Sequence, residues 1–383
     1  MYKKQYSLFS IMFLLTTFIG IESCKQNSKE QVIRIAIDEK EIKTNLLYSN
    51  LVEDVKFISL QTIDTSANAN LWHISKVFFD DNLIFCLDRD VFGGIMIFDE
   101  RGKHLNSIQI GRGSGKEITS ISDAAIDKEK KEIRISNSPY IAVYSYKGEF
   151  LKRKKANFDS EHFEYTKGLS AFTSKEFGLI IKANNQSKEK TYLPSYAIHR
   201  QFLIQPFQVV DEGILFRHSL CDTIFLVKEQ TVIPYRIIDF GDKKITQPEL
   251  KAIIYGDQSL PVNPDKMHSI KYYSENKQFI HFTFQYKKKP LIALYNKLTK
   301  KTTVFPADKT INDVSFERFV PLIIGAKEDY FVATLGCKVP AIDTTKYTNN
   351  KYLKEFSKTF NGKNLTKGYN NPSLMLIKFK SLP

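Results

Sequence analysis

The sequence predicts an all-β fold: a six-bladed β-propeller of four-stranded antiparallel blades, closed by an N-terminal strand, with one or two short helical insertions. Three observations predict it. A unit of strand, glycine turn and strand recurs at an offset of 46 residues, from Ile95 to Ile141. Hairpin signatures then continue along the chain. Finally, one strand pattern, Val52 to Thr62, precedes the first blade without a local partner. Composition agrees, because 29 Phe and 19 Tyr against one Trp, in a chain 42% hydrophobic, suit pleated, half-buried surfaces.

The elements follow in order. "MYKK" and the apolar run "LFSIMFLLTTFIGI" have the layout of a secretory signal over residues 1–23 and are too short to span a bilayer comfortably. The run ends in "IESC", which resembles a bacterial lipobox: Ile21 is aliphatic, Ser23 is small, and Cys24 is the residue to be lipidated. Glu22 departs from the usual small or apolar choice. Residues 24–50 read as a lipidated tether, because "KQNSKEQ" after Cys24 is polar and unanchored. Residues 51–383 read as the propeller.

The repeat is the strongest internal signal. "IMIFDERGKHL" (Ile95 to Leu105) aligns without gaps on "IAVYSYKGEFL" (Ile141 to Leu151), so that Phe98 meets Tyr144 and Gly102 meets Gly148. A tight hairpin that requires positive φ explains each glycine. "DTIFLVKEQTVIPYRI" and "LIALYNKLTKKTTVF" repeat the pattern of strand, polar turn and strand. Upstream couples such as "HISKVFFDDNLIFCLD" supply the first two strands of a unit. Four strands in about 45 to 55 residues is the period of a propeller blade. Six blades follow, starting near Trp72, Ile118, Phe163, Phe207, Lys266 and Val314, and the strand at Val52 is placed to complete the last blade and close the ring. Helical signals are confined to "TQPELKAIIYG" (Thr246 to Gly256) and "TTKYTNNKYLKEFSKTF" (Thr344 to Phe360).

With these pieces in order, the chain resembles the six-bladed β-propeller lipoproteins of Bacteroidota. "VKFISLQT" (Val55 to Thr62) is similar to the opening segment, where an acidic residue is more usual than Gln61. "IMIFDERGKHLNSIQIGRGSGKEI" is similar to the first-blade signature, although Ser114 and Lys116 depart from its Gly- and Pro-rich loop. "DTIFLVKEQTVIPYRIIDFGDKKI" and "NNPSLMLIKFK" are similar to a later strand pair and to the closing strand. The resemblance implies an envelope protein held by its lipid, expected to be a monomeric propeller. No acidic run directly follows Cys24 as a surface-export signal would, so the periplasmic face of the outer membrane is expected rather than the cell surface.

Several functions are excluded. Gly111, Gly113 and Gly115 fit neither a dinucleotide fingerprint nor a phosphate loop, since Glu117 follows Lys116 and "ISDAAID" continues as strand; the loop turns a corner between blades. There is no GxSxG, no HExxH and no alternating-Asp calcium loop. Cys86, Cys221 and Cys337 leave room for one disulfide at most, and Cys86 within "LIFCLD" reads as a small buried hydrophobe. No cofactor and no metal is implied. The net charge of +14 is spread along the chain, in runs such as Lys152 to Lys155 that suit solvated strand ends, and nucleic acid does not suit a secreted chain.

Propeller sites assemble from loops distant in sequence. On the blade starts above, the candidate channel-mouth binding residues are His73, Asp123, Lys167, His218, His268 and Arg318. Three function classes stay open. The first is a lipid-anchored module that binds a ligand or protein, for instance a glycan, a peptide or an envelope protein. The second is a propeller enzyme of lactonase, lyase or hydrolase type, with a metal at the channel mouth, acting on a polar envelope or glycan-derived substrate. The third is a structural subunit of an envelope complex.

Overall fold

The protein is seen in a computed structural model, which describes residues 32–61, 71–111, 118–156, 158–174, 178–183, 189–192, 205–217, 221–246, 248–249, 252, 263–336, 350–360 and 371–381. Six antiparallel sheets follow one another along the chain. Blade 1 is β3 (Lys76–Asp80), β4 (Leu83–Asp88), β5 (Gly94–Asp99) and β6 (His104–Gln109). Blade 2 is β7 (Asp123–Asp127), β8 (Glu132–Asn137), β9 (Tyr140–Ser145) and β10 (Phe150–Lys155). Blade 3 is β11 (His162–Thr166), β12 (Leu169–Ser174), β13 (Gly178–Ala183) and β14 (Lys190–Tyr192). Blade 4 is β15 (Phe207–Val210), β16 (Gly213–Arg217), β17 (Thr223–Lys228) and β18 (Thr231–Asp239). Blade 5 is β19 (His268–Glu275), β20 (Phe279–Tyr286), β21 (Lys289–Asn296) and β22 (Thr302–Pro306). Blade 6 combines β23 (Ile323–Lys327), β24 (Tyr330–Leu335) and β25 (Ser373–Phe379) with β2 (Val52–Ser59).

The predicted closure is present: β2 runs antiparallel to β25, with Val55 opposite Ile377 and Phe57 opposite Met375. The fold also begins earlier than the expected tether boundary. β1 (Ile33–Ala36) adds to blade 4 as a fifth strand, parallel to β18. The chain then bridges to blade 5 at Ile42–Val304, pairs again at Leu47–Ile311, and enters β2. Residues 33–59 thus form a belt across blades 4, 5 and 6. Ile33, Ile35 and Ile37 alternate at the period of a strand, a local signal that the tether expectation passes over; the partner strand β18, some two hundred residues away, is what the sequence does not show.

Each neighbouring pair of blades encloses one hydrophobic cluster, six in all. β4 shows the rule. Phe85 and Leu87 pack toward blade 2, while Ile84 and Cys86 pack toward blade 6. Both faces of an inner strand are buried, so "LIFCLD" is a continuous apolar run rather than an alternating one. Cys86 is fully buried, as expected, and burial pushes its thiol up.

The repeated glycines turn the hairpins β5–β6 and β9–β10 with φ of +82° and +80°. They also sit where a blade meets its predecessor. A Cβ on Gly102 would lie 2.4 Å from the Ser59 carbonyl of blade 6, and one on Gly148 would lie 2.9 Å from Asn106 Nδ2 of blade 1. The 46-residue offset is therefore the period of an interblade contact. Gly111 follows β6 in blade 1, and β7 belongs to blade 2; the rest of the predicted corner, with Gly113 and Gly115, lies outside the described residues.

One α-helix is described, α1 (Lys351–Phe360), inside the second predicted insertion. Its Tyr352, Phe356 and Phe360 pack onto the cluster between blades 5 and 6, and Tyr352 Oη donates to the Val52 carbonyl at 2.6 Å. At the first insertion, Thr246 and Glu249 form a reciprocal cap, while most of Thr246 to Gly256 lies outside the described residues. The lysines at 152–155 stand within exposed β10, the outer edge of blade 2, rather than at a strand end. Cys221 is a free thiol, and Cys24 and Cys337 lie outside the described residues.

Candidate functional site at the central channel

The first strand of every blade lies innermost, and β3, β7, β11, β15, β19 and β23 surround the axis. They run in one direction. One end of the channel is therefore built from strand starts and interblade connections, and the other from the short turns that follow each inner strand.

The strand-start end is closed by polar side chains. Lys76, the first residue of β3, sends its ammonium between blades 2 and 3. It lies 3.0 Å from Glu164 Oε2 and 3.5 Å from Asp123 Oδ2, and donates to the Ala124 and Phe163 carbonyls, each at 2.9 Å. Asp123 also accepts the Phe163 N–H at 2.9 Å, and the His162 ring stands 3.8 Å away. All four side chains are nearly excluded from solvent. Burial alone would drive Lys76 toward neutrality, but the Asp123 and Glu164 charges outweigh it and raise its pKa, so the group is a cation. Burial pushes the Glu164 carboxyl up against the pull of Lys76, and lowers His162 to about 4, leaving that ring neutral at pH 7. Gln205, just before blade 4, donates to the Ser75 carbonyl at 2.5 Å. Blades 1 and 4 are opposite one another in the ring, so this bond crosses the axis.

The turn end is open. A cavity of about 610 Å³ reaches from Lys76, Glu164 and Gln205 to the first turns of blades 1, 2, 3, 4 and 6. Seven carboxylates line it against four lysines, which reverses the sign of a chain of net charge +14. Some of these charges are already held. Asp80 accepts from Lys131 and Tyr146, each at 2.8 Å; burial would raise its pKa, but these bonds hold it below the ordinary aspartate value. Asp127 is bound by Arg134 at 2.8 Å. Glu129, Asp211 and Glu328, from blades 2, 4 and 6, line the mouth without an ion pair among the described residues.

The sequence-derived candidates divide between the two ends. His73 is exposed before β3 and pairs with Asp90 at 3.5 Å. Asp123 belongs to the buried cluster. His268 opens β19, half-buried, with its Nδ1 2.8 Å from Ser269 Oγ, and burial lowers its pKa. Arg318 is exposed over the Phe319 ring, 5.1 Å from its centroid. His218 lies outside the described residues. Lys167 stands apart: it follows β11, so it borders the open mouth, where it donates to the Asp211 carbonyl at 3.3 Å. Five residues of strand, at about 3.3 Å each, carry it to the far end. Lys76, His162, Glu164 and Gln205 were not among the candidates. Their signal was a charge inside an apolar run, as in "ISKVFF" and "HFEYT". Among the described residues no group of three His, Cys, Asp or Glu side chains is placed to hold a metal ion.

A family model described as a domain of unknown function, DUF4934, matches residues 31–378. The chain belongs to the DUF4934 family. The match starts at the belt rather than at β2, in agreement with the fold. Among solved structures, a Bacteroides fragilis protein provisionally described as exported is similar, with TM-score 0.68 and 18% identity over 91% of this chain and 99% of that one. A member of the DUF4221 family from Bacteroides vulgatus aligns with TM-score 0.48 and 9% identity, over 88% of this chain and 99% of that one. Comparison with curated proteins found no match.

Proposed function

We propose that the protein is an exported, lipid-anchored propeller of a Bacteroidota envelope that binds a small, positively charged polar ligand and carries out no chemistry of its own. The observation that supports this reading is the one-ended channel. A cavity of about 610 Å³, with carboxylates in excess, suits a ligand with an amine or guanidinium group. The buried ions at its base are already paired, so they form a rigid floor rather than a reactive centre. Export and anchoring rest on the signal-like N-terminus and Cys24, supported by the provisional description of the Bacteroides fragilis neighbour.

The experiment is a thermal-shift and calorimetric screen of amines, amino sugars and Lys- or Arg-containing dipeptides. A Glu129→Gln/Glu328→Gln variant, which leaves the floor intact, serves as the control. The expected result is saturable binding of cationic compounds that weakens at least tenfold in the variant. Binding of only neutral or anionic compounds, or an unaffected variant, would refute the channel reading. Detergent partition of the Cys24→Ala variant tests the anchor separately, with loss from the membrane fraction expected.

A further inference from the structure

A second cavity, of about 1090 Å³, lies between blades 4 and 5, away from the channel. It is a groove with a sheet edge on each side. β1 is the outermost strand of blade 4, β22 is the outermost strand of blade 5, and both line it. At one end the walls meet, where Thr302 Oγ1 donates to the Ala36 carbonyl at 3.2 Å. An exposed strand edge presents backbone groups to a further strand.

The charge of the groove is opposite to that of the channel. Arg34, Lys43, Arg236, Lys297, Lys300 and Lys301 line it, against only Asp38 and Glu41. Lys43, Lys300 and Lys301 are exposed and make no ion pair among the described residues. Two of the cations are built into the floor. Arg236 and Lys297 share a single buried carboxylate, Glu275, at 3.9 and 3.3 Å, and that carboxylate is already held by the Tyr273 and Tyr235 hydroxyls at 2.8 and 3.3 Å. Arg236 is nine-tenths buried, with its Nε lacking a hydrogen bond, and its guanidinium carbon lies over the Tyr235 ring, 3.6 Å from the centroid. Glu212 adds a weaker counter-charge to Lys297. The excess of positive charge therefore comes from the floor together with the exposed Lys43, Lys300 and Lys301, in partly desolvated surroundings where an incoming anion is held more strongly than at an open surface.

We infer that this groove takes an extended acidic peptide segment of a partner protein, laid as a strand along β1 with its carboxylates toward the lysines. The outer edge of β1 asks for a backbone that can form a ladder, since β22 is already bridged by the belt at Ile42–Val304, and the cations ask for acidic side chains. A polysaccharide would satisfy only the second requirement.

The test uses the chain from Lys25 onward and a fluorescent ten-residue peptide alternating Glu and Thr, read by anisotropy. Saturable binding is expected, weakening at least tenfold between about 50 and 300 mM salt. Three comparisons accompany it. The Lys300→Glu/Lys301→Glu variant, altered at an exposed turn, is expected to lose at least tenfold in affinity. So is the same peptide N-methylated at every residue, which can donate to a ladder from neither edge. Polygalacturonate is expected to compete poorly. An unaffected variant, equal binding of the N-methylated peptide, or equal competition by polygalacturonate would each overturn the proposal. Binding seen only for a chain starting at Val32 would overturn it as well, by assigning the groove to the protein's own leader. None of these outcomes depends on what the channel binds.

Discussion

Substituting Lys76 tests the account of the channel floor most directly. Lys76→Met keeps the aliphatic stem but removes a cation that faces two buried carboxylates and two backbone carbonyls. Breaking a buried ion cluster from one side costs about 3–5 kcal/mol, because the remaining charges stay desolvated. The 275 described residues correspond to an unfolding entropy of roughly 0.6 kcal/mol/K, so a loss of about 4 kcal/mol lowers Tm by about 7 °C. The readout is available in the native chain: the single tryptophan, Trp72, lies four residues from Lys76 and its backbone N–H donates to Asp88 Oδ2 at 2.8 Å. Urea and thermal unfolding followed by its fluorescence report on this region. The triple variant Lys76→Met/Asp123→Asn/Glu164→Gln removes charge from both sides and is expected to recover more than half of the loss. pH supplies a further check. With the lysine gone, nothing offsets the burial that already raises the Glu164 carboxyl, so the folded state binds more protons there and the single variant gains stability relative to wild type as pH falls from 7 toward 5. A Lys76→Met cost under 1 kcal/mol, or a triple variant as unstable as the single, would refute the argument that a buried charge cluster joins blades 1, 2 and 3.

Two further predictions concern the ring. Alanine at Gly102, Gly148 and Gly111 separates backbone strain from interblade approach: all three have positive φ and lose about 1–2 kcal/mol from that alone. Gly102→Ala adds a clash with a backbone carbonyl at 2.4 Å, Gly148→Ala meets a side-chain amide that can move, and Gly111→Ala meets open space, so the order of destabilisation by urea unfolding is expected to be Gly102, then Gly148, then Gly111. His162 and His281 are buried with pKa values lowered to about 4, so between pH 6.5 and 4 the unfolded chain binds protons that the folded chain does not. Stability should fall as pH drops through that window, by up to about 3 kcal/mol per histidine at 1.36 kcal/mol per pH unit, and His281→Phe should flatten part of the slope in denaturant titrations at stepped pH.

The blade count, the order of strands and the closing strand were legible in the sequence because each is written locally. Gly102 and Gly148 mark tight hairpins, polar turns interrupt apolar runs at a steady period, and Val52 to Ser59 is a strand pattern without a neighbour. Such signals depend on a few adjacent residues and survive without any tertiary contact. Other features were decided only when the ring closed. Lys76, Asp123 and Glu164 are separated by 47 and 41 positions and meet because three inner strands converge on one axis. Lys167 moved to the opposite mouth because a strand has two ends and the sequence does not say which faces a ligand. The part of the belt before β2 is held by edges on blades 4 and 5 that exist only in the folded ring. The groove beside it is bounded by β1 and β22, more than two hundred residues apart in sequence. Local geometry specified the blades; the cavities between and within them are properties of the closed ring, because only closure brings distant charges within reach of one another.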